Sequence, residues 1–503
     1  MFIRENKNRS GSISVQVIEK IKGKNKVIFS VGSSTSPQKI ELLKAKAKDY
    51  IENRRGALPL FTEPEDILIE NFVSSLSNNS LRIVGPQMVL EPIYNEVFPF
   101  IDRNYFVDLV LCRVIYPGSK LRTVEYLSRH FNKSVSEQTI YRAMDDLDEN
   151  FKVEIEKCTF KRAKKHATDI DLSVVFYDMT TLYFETETED DLRKIGYSKD
   201  GKHQHPQIMI GLLVNTQGYP IAYDVFEGNT SETKTLIPVM ERLIERFSIN
   251  KPIIVADAGL LSKANLKALQ DNGYKYILGG RIKNETREIK QNVLKLPVNP
   301  EQPAETPHPY GRLIISYSEK RKAKDWHNRE KGLKRLENKV KNKKLTKQAI
   351  NNRGYNKYLV LDGETTVTID YEKFKEDSVW DGLKGYVTNT KLSAKDIIGN
   401  YGNLWKVEKA FRMSKTDLRF RPIFHRKETR IRAHLIICFA AYAIFKELEL
   451  KIAEKKVGLS VQKAIDQLKE VQELTYQLPK SKQIKKQILK TNEYQQDLLS
   501  MSN

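Results

Sequence analysis

Residues 206–226, PQIMIGLLVNTQGYPIAYDVF, decide the fold. Two apolar runs rich in branched and aromatic side chains flank Asn215–Gly218, a turn composition, so the stretch predicts two strands joined by a turn. Upstream, LSVVFYD (172–178) is a short β-rich run ending in Asp178. Downstream, SETKTLIPVMERLIERF (231–247) predicts a helix, and PIIVAD (252–257) a strand ending in Asp257. SKANLKALQDNG (262–273) predicts a helix stopped by Gly273, and YKYILGG (274–280) a further strand. The order strand, hairpin, helix, strand, helix, strand specifies a mixed α/β sheet.

The flanks differ in texture. Residues 11–31 alternate around Gly23-Lys24-Asn25 and read as a hairpin, followed by a helix opened by Ser36-Pro37. Residues 104–147 read as helical. Within them 119–147 give a helix, a break near Asn132–Val135 and a second helix with Ser136 as N-cap, a helix-turn-helix silhouette. Its second helix would turn Gln138, Thr139 and Arg142 outward and Ile140 and Met144 inward; a plain helical hairpin fits the same pattern. Residues 281–399 break the α/β rhythm. Strand-like pieces (312–317, 358–363, 366–371, 382–390) surround a basic segment, 318–347, with 13 Lys and Arg against 4 Asp and Glu. We therefore expect an N-terminal hairpin plus helix (1–60), a helical DNA-binding region (61–165), a core in two parts (166–280 and 400–450) interrupted by a partly β insertion (281–399), and a helical, basic C-terminus (451–503).

The 503 residues are too many for one ordinary domain, and 40% hydrophobic content supports real cores. A net charge of +21, spread over many segments, points to a polyanionic partner, nucleic acid first. Three cysteines, Cys112, Cys158 and Cys438, fit no zinc spacing and read as reduced thiols. The longest apolar run, 433–445, is too short to span a bilayer and reads as a core helix, so no membrane is expected. There is no Walker-type phosphate loop.

Asp178 and Asp257 stand at the ends of two buried strands, where ligands of open α/β sheets gather. Two carboxylates delivered there suit Mg²⁺ or Mn²⁺, and two such ions can hold the attacking and leaving oxygens of a phosphodiester. An aspartate at a strand end also commonly just caps a turn. A third carboxylate is sought in YGNLWKVEKAFRMSK (401–415), where Tyr401, Glu408 and Lys415 recur every seven residues and so share one stripe of a helix. With Leu404, Trp405 and Phe411 beside it, the stripe reads as largely buried, where a bare carboxylate is costly unless paired or metal-bound.

These segments together resemble the DDE transposases of bacterial insertion sequences, specifically the insertion-sequence-four-like group. That group's signature helix reads Tyr, two residues, Arg, three residues, Glu, six residues, Lys; this chain keeps Tyr401, Glu408 and Lys415, with Leu404 at the Arg position and Arg412 one turn beyond Glu408. FYDMTTLYFE, GYSKDGKHQHPQI, FEGNTSETKTL, VADAGLLSKANL and RPIFHRKETRIRAHLIICFAAYAI are similar to other stretches of the group. The resemblance covers about 171–280 and 385–445.

The resemblance implies a ribonuclease-H-like core with an insertion before the catalytic Glu, and Asp178, Asp257 and Glu408 holding two Mg²⁺ (or Mn²⁺). It implies cleavage and strand transfer at the inverted-repeat ends of the chain's own element, double-stranded DNA as partner at terminal repeats and target, a homodimer when DNA is bound, and a bacterial, nucleoid-associated, cytoplasmic setting. Tyr401, Lys415, Arg412 and Thr180 would contact DNA near the cut, with Gln138 and Arg142 reading it from the N-terminal region. Trp326 and Trp380 are candidates to stack on a flipped base. A non-catalytic DNA-binding regulator and a nuclease without strand transfer remain the alternative readings.

Overall fold

The computed structural model describes the chain except at positions 22, 54–63, 167–172, 198–200, 202–203, 232–233, 248–249, 261, 343–344, 346–349, 352–353, 363–365, 422, 479–480 and 503. Parts of GYSKDGKHQHPQI, of FEGNTSETKTL and of the basic segment 318–347 therefore lie outside the described residues. The chain divides into two units: 1–82 with 472–489, and 83–471 with 490–503.

The first unit opens with an antiparallel sheet of β1 (Phe2–Lys7), β2 (Ile13–Ile21) and β3 (Lys24–Ser34). The expected hairpin is β2–β3; β1 is an added strand that composition did not reveal. Val15 and Val17 from β2 pack with Ile40, Ala47 and Ile51 of α1 (Pro37–Asn53), a small amphipathic core. α2 (Pro64–Ser75) and β4 (Leu81–Ile83) follow.

The second unit begins with α3 (Gly85–Val97), α4 (Phe106–Ile115), α5 (Lys120–His130), α6 (Glu137–Asp145) and α7 (Glu149–His166). The break between α5 and α6 and the Ser136 cap are as expected: the Ser136 hydroxyl accepts from the Thr139 backbone N–H at 3.1 Å. Gln138 and Arg142 are exposed, and Ile140 and Met144 are buried.

Next come β5 (Val174–Tyr183), β6 (Gln207–Val214), β7 (Pro220–Glu227), α8 (Leu236–Phe247), β8 (Ile253–Ala256), α9 (Lys263–Asp271) and β9 (Lys275–Gly280). Then follow α10 (Arg287–Lys295), β10 (Ala304–His308), β11 (Gly311–Tyr317), α11 (Glu319–Lys341), β12 (Leu359–Asp362), β13 (Thr366–Ile369), α12 (Tyr371–Glu376) and β14 (Leu383–Thr388). One eight-stranded sheet runs β10-β11-β14-β9-β8-β5-β6-β7. β5, β8 and β9 are parallel; the remaining neighbours are antiparallel. At the β6–β7 turn Gly218 takes φ +77°, a left-handed value that costs glycine little, and its N–H bonds Asn215 O at 2.9 Å.

Two expectations change here. β5 does not end at Asp178 but runs on to Tyr183, because MTTLY is itself β-forming and pairs with β6 down to Gln207. The region 281–399 is not set apart as a whole: β10, β11 and β14 extend the main sheet beyond β9. Only β12 and β13, with α11 and α12, gather around a core of their own, Leu336, Tyr358, Leu359 and Val367.

The chain continues through α13 (Ala394–Gly402), α14 (Trp405–Thr416), α15 (Glu428–Glu454) and α16 (Val461–Lys469). α15 carries the apolar run 433–445 and is buried along that whole length, against α3, α4, α6 and α7. Among the described residues no helix is long and apolar enough to cross a membrane. β15 (Gln472–Gln477) and β16 (Ile484–Ile488) return to the first unit, in the order β16-β15-β4, before α17 (Glu493–Leu499) closes the second. The expected C-terminal helix over KSKQIKKQILK is thus an edge strand. Its Ile484–Ile488 spacing satisfies a helix and a strand alike, and pairing with LTYQ of β15 decides for the strand.

Candidate active site

The parallel β5–β8 ladder pairs Val174 with Ile253 and ends at Tyr177 opposite Ala256. The next residue on each strand is Asp178 and Asp257, so the two carboxylates stand side by side where the ladder stops. Asp178 is half-buried and Asp257 exposed.

Side-chain alternation sorts β5 into two faces. Tyr177 and Met179 look toward α8 and meet at Thr235: the Tyr177 hydroxyl donates to Thr235 Oγ1 at 3.0 Å, and Thr235 donates to Met179 Sδ at 2.7 Å. Asp178, Thr180 and Leu182 take the other face, opposite Leu212, Ile210 and Ile208 of β6. α14 covers that face. Phe411, Ser414 and Lys415 line a small apolar cavity with Thr180 and Leu182. Thr180 is buried there, under the helix. Lys415, half-buried, reaches the same place.

The stripe read from 401–415 is not one helix. α13 ends at Gly402 and α14 begins at Trp405; between them the bonds Leu404 N–H to Tyr401 O and Val407 N–H to Leu404 O tighten the chain to an i→i−3 pattern. Gly402 and Asn403, poor helix formers, sit at the break. Tyr401, Leu404 and Phe411 are buried, as expected, but Trp405 is 52% exposed and Glu408 is exposed. This corrects the burial argument for Glu408: its carboxylate meets solvent in the first turn of α14, where the helix dipole favours it.

Tyr401 is 7% exposed, and its hydroxyl donates to Asp257 Oδ1 at 2.9 Å. Gly279 makes the room: a Cβ there would lie 2.4 Å from the Tyr401 oxygen and 3.0 Å from the Ala258 backbone nitrogen. Tyr386, paired with Gly279 across β9–β14, packs edge-on at 5.0 Å between ring centroids. Burial, then the Asp257 charge, hold the Tyr401 phenol far above its usual range, so it stays a donor. Lys384 sits half-buried with its ammonium 4.3 Å from the Tyr401 ring centroid. Burial and then Arg321 lower its pKa, while Asp257 and Glu408 oppose that shift. Tyr401 and Lys384 thus both feel Asp257 and Glu408, which places the two carboxylates in one electrostatic neighbourhood.

Sequence reading missed the Tyr401–Asp257 bond and Lys384. The available signals were the Gly279-Gly280 pair closing β9 and a lysine alternating with Tyr386 along an otherwise apolar strand. Arg412, exposed, lies beside Asp417 and borders a cleft with Lys409, Glu449 and Lys456. Trp326 is 52% exposed, so it is not a core residue, whereas Trp380 packs against the main core.

The donor set suits hard divalent cations: three carboxylates, oxygen only. Among the described residues, no three His, Cys, Asp or Glu side chains stand close enough to form a metal cage as placed. Asp178 adjoins Asp257 through the β5–β8 register, and Asp257 and Glu408 both act on Tyr401 and Lys384.

Residues 170–444 match the family model described as a transposase DDE domain. Among solved structures the chain is similar to a piggyBac transposase synaptic complex with hairpin DNA (13% identity, 76% of each chain, TM-score 0.40). It is also similar to a Mos1 transposase paired-end complex with the left transposon end (15% identity, 35% of this chain and 58% of that one, TM-score 0.16). A Mos1 mariner paired-end complex with Mn matches at 16% identity over 35% of this chain and 59% of that one, with a TM-score of 0.15. The chain therefore spans under two thirds of the Mos1 chains. No curated protein matches.

Proposed function

The chain belongs to the transposase DDE domain family and is a DNA transposase, and from that premise we propose that Asp178, Asp257 and Glu408 are its catalytic triad, acting at the inverted-repeat ends of its own element. The observation that carries this reading is the β5–β8 register, which sets Asp178 beside Asp257 on the face of β5 that α14 covers. The strand order β7-β6-β5-β8-β9, with β5, β8 and β9 parallel, supports a ribonuclease-H-like core. The Tyr401–Glu408–Lys415 spacing supports the insertion-sequence-four-like group.

Asp178, Asp257 and Glu408 would hold two Mg²⁺ or Mn²⁺ ions, which supply Lewis acidity at the scissile phosphate and lower the pKa of a bound water. The chemistry is hydrolysis of a phosphodiester, followed by attack of the freed 3′-hydroxyl on target DNA. Tyr401 fixes the orientation of Asp257, and the Lys384 ammonium offsets part of the local negative charge. Lys415, at the far end of α14, and Arg412 would meet backbone phosphates. Thr180, beneath α14, would support the catalytic strand from inside. Gln138 and Arg142 would face DNA from α6, and Trp326, being exposed, would be the candidate to stack on a base. Two ends brought together imply a homodimer on DNA, in a bacterial cytoplasm.

The test is a plasmid carrying the gene's own flanking DNA, incubated with the protein and Mg²⁺ or Mn²⁺, with cut ends mapped. Metal-dependent cuts at repeat boundaries, absent in Glu408→Gln, are expected. Binding without cutting under either metal would move the reading to a regulator, and cutting without joined products to a nuclease.

A further inference from the structure

Away from the carboxylates, a cavity of about 370 Å³ opens between α5, α6 and the segment linking α14 to α15. Its walls carry Arg113, Lys120, Arg122, Arg419 and Arg421 against one carboxylate, Glu137. Glu137 is engaged, accepting from the Tyr141 hydroxyl at 2.9 Å. Five basic side chains facing one acid is a local charge excess, costly where the groups are buried.

Lys120 is the sharpest case. It is 5% exposed, and its ammonium has no hydrogen bond or ion pair among the described residues. Burial, then the neighbouring Arg113, push its pKa down to about 7. Arg113 is also buried, donating to the Arg419 carbonyl at 3.4 Å. Lys120 is the first residue of α5, and Ser119, its N-cap, lines the same cavity. The positive end of the helix dipole therefore adds to the side-chain charge. The two histidines in the wall bring no cation: burial holds His425 down to about 3 and His434 well below its usual range.

We propose that this cavity is a phosphate-binding site that takes a backbone phosphate of the DNA lying along α6. The inference rests on the transposase reading above, since a duplex is the phosphate source that the +21 chain is built to meet. The cavity adjoins Tyr141 on α6, one residue from Arg142, and its lining residues Arg419 and Arg421 lie in the segment that follows α14. A phosphate seated there would register the duplex against both the α5–α6 pair and the helix that carries Glu408. Such a contact positions DNA and carries no sequence information.

Lys120→Met keeps the buried aliphatic stem and removes only the charge. Binding of the full chain to labelled duplexes cut from its gene's flanking DNA is measured in EDTA across a salt series. The slope of log K against log[salt] should become shallower by about 0.9, one phosphate contact fewer. Affinity at fixed salt should fall about tenfold, alike for every duplex. Replacing backbone phosphates one at a time by methylphosphonate should reveal one position that weakens the wild type and leaves Lys120→Met unchanged. An unchanged slope and affinity in Lys120→Met overturns the proposal. So does stabilisation of the wild type by inorganic phosphate with no loss of DNA binding in the variant, which would assign the cavity to a free anion. Because the assay needs no metal and no cutting, its failure leaves the catalytic reading standing, and a wild type that never cuts leaves this one standing.

Discussion

The bond from Tyr401 to Asp257 makes the most decisive prediction. Tyr401→Phe keeps the ring that fills the space above Gly279 and against Tyr386, and removes only the donor. A hydrogen bond to a charged acceptor contributes roughly 1.5–3 kcal/mol. The carboxylate it holds is a proposed metal ligand, and loss of such an outer partner typically lowers metal affinity or activity about 10–100-fold. At about 1.4 kcal/mol per decade the two ranges coincide, so the whole bond energy is accounted for if Tyr401 acts only by orienting Asp257. The assay is single-turnover cleavage of an end-containing duplex over a Mg²⁺ titration, with DNA affinity measured separately in EDTA. Tyr401→Phe should cut about 10–100-fold more slowly at low Mg²⁺, recover partly as Mg²⁺ rises, and bind DNA as the wild type does. A variant that binds DNA more weakly in EDTA but needs no more metal would refute this reasoning, and would return Tyr401 to a direct grip on phosphate.

Three further outcomes are expected. Gly279→Ala should reproduce the slow cutting of Tyr401→Phe and also destabilise by about 1–3 kcal/mol, because its Cβ collides with the Tyr401 hydroxyl; wild-type thermal stability with slow cutting would mean the tyrosine swings away freely. Glu408→Gln should leave urea stability within about 0.5 kcal/mol of the wild type while abolishing cleavage, since the side chain is exposed; a large stability loss would show a structural role instead. Glu447 is buried, and although burial opposes ionisation, hydrogen bonds from His166 (2.9 Å) and Arg162 hold its pKa down to about 2, below its ordinary 4.5. A depressed carboxylate stabilises fully above 4.5, and that contribution, about 3 kcal/mol, is lost as pH falls from 4.5 toward 2. Denaturation of Glu447→Gln followed over that window should be flatter than the wild type; parallel curves would exclude the link.

What the sequence disclosed was what depends on near neighbours. The hairpin around Asn215–Gly218, the Ser136 cap and the buried run 433–445 follow from turn chemistry, capping and apolar length, each a property of a few consecutive residues. Asp178 and Asp257 could be named because a strand end is locally visible, yet β5 overran Asp178 by five residues. The position matters for a non-local reason: β8, its parallel partner, stops at Ala256. The strands β11 and β14 were legible as strands but not as parts of the main sheet, since edge pairing is a choice among distant segments, and β10 was not read as a strand at all. Lys384 and the Lys120 cavity were invisible for the same cause. A lysine in a strand or at a helix start is ordinary until the fold surrounds it.

In the stretch 401–415 the spacing and the geometry first read from it part company. A seven-residue spacing suggested one buried stripe, with Glu408 held between Tyr401 and Lys415. The break at Gly402–Leu404 separates their environments instead: Tyr401 turns under β9 to Asp257, Glu408 stays in solvent, and Lys415 reaches beneath α14. A continuous helix would hold the tyrosine and the glutamate to the same face and the same burial. The tightened turn puts the two in different surroundings, Tyr401 as a buried donor to an aspartate and Glu408 as an exposed carboxylate, the metal ligand we propose. What the spacing preserves across 401–415 is therefore the reach from the core to the surface of the site, and Leu404, buried in the break, is the residue that anchors that change of direction.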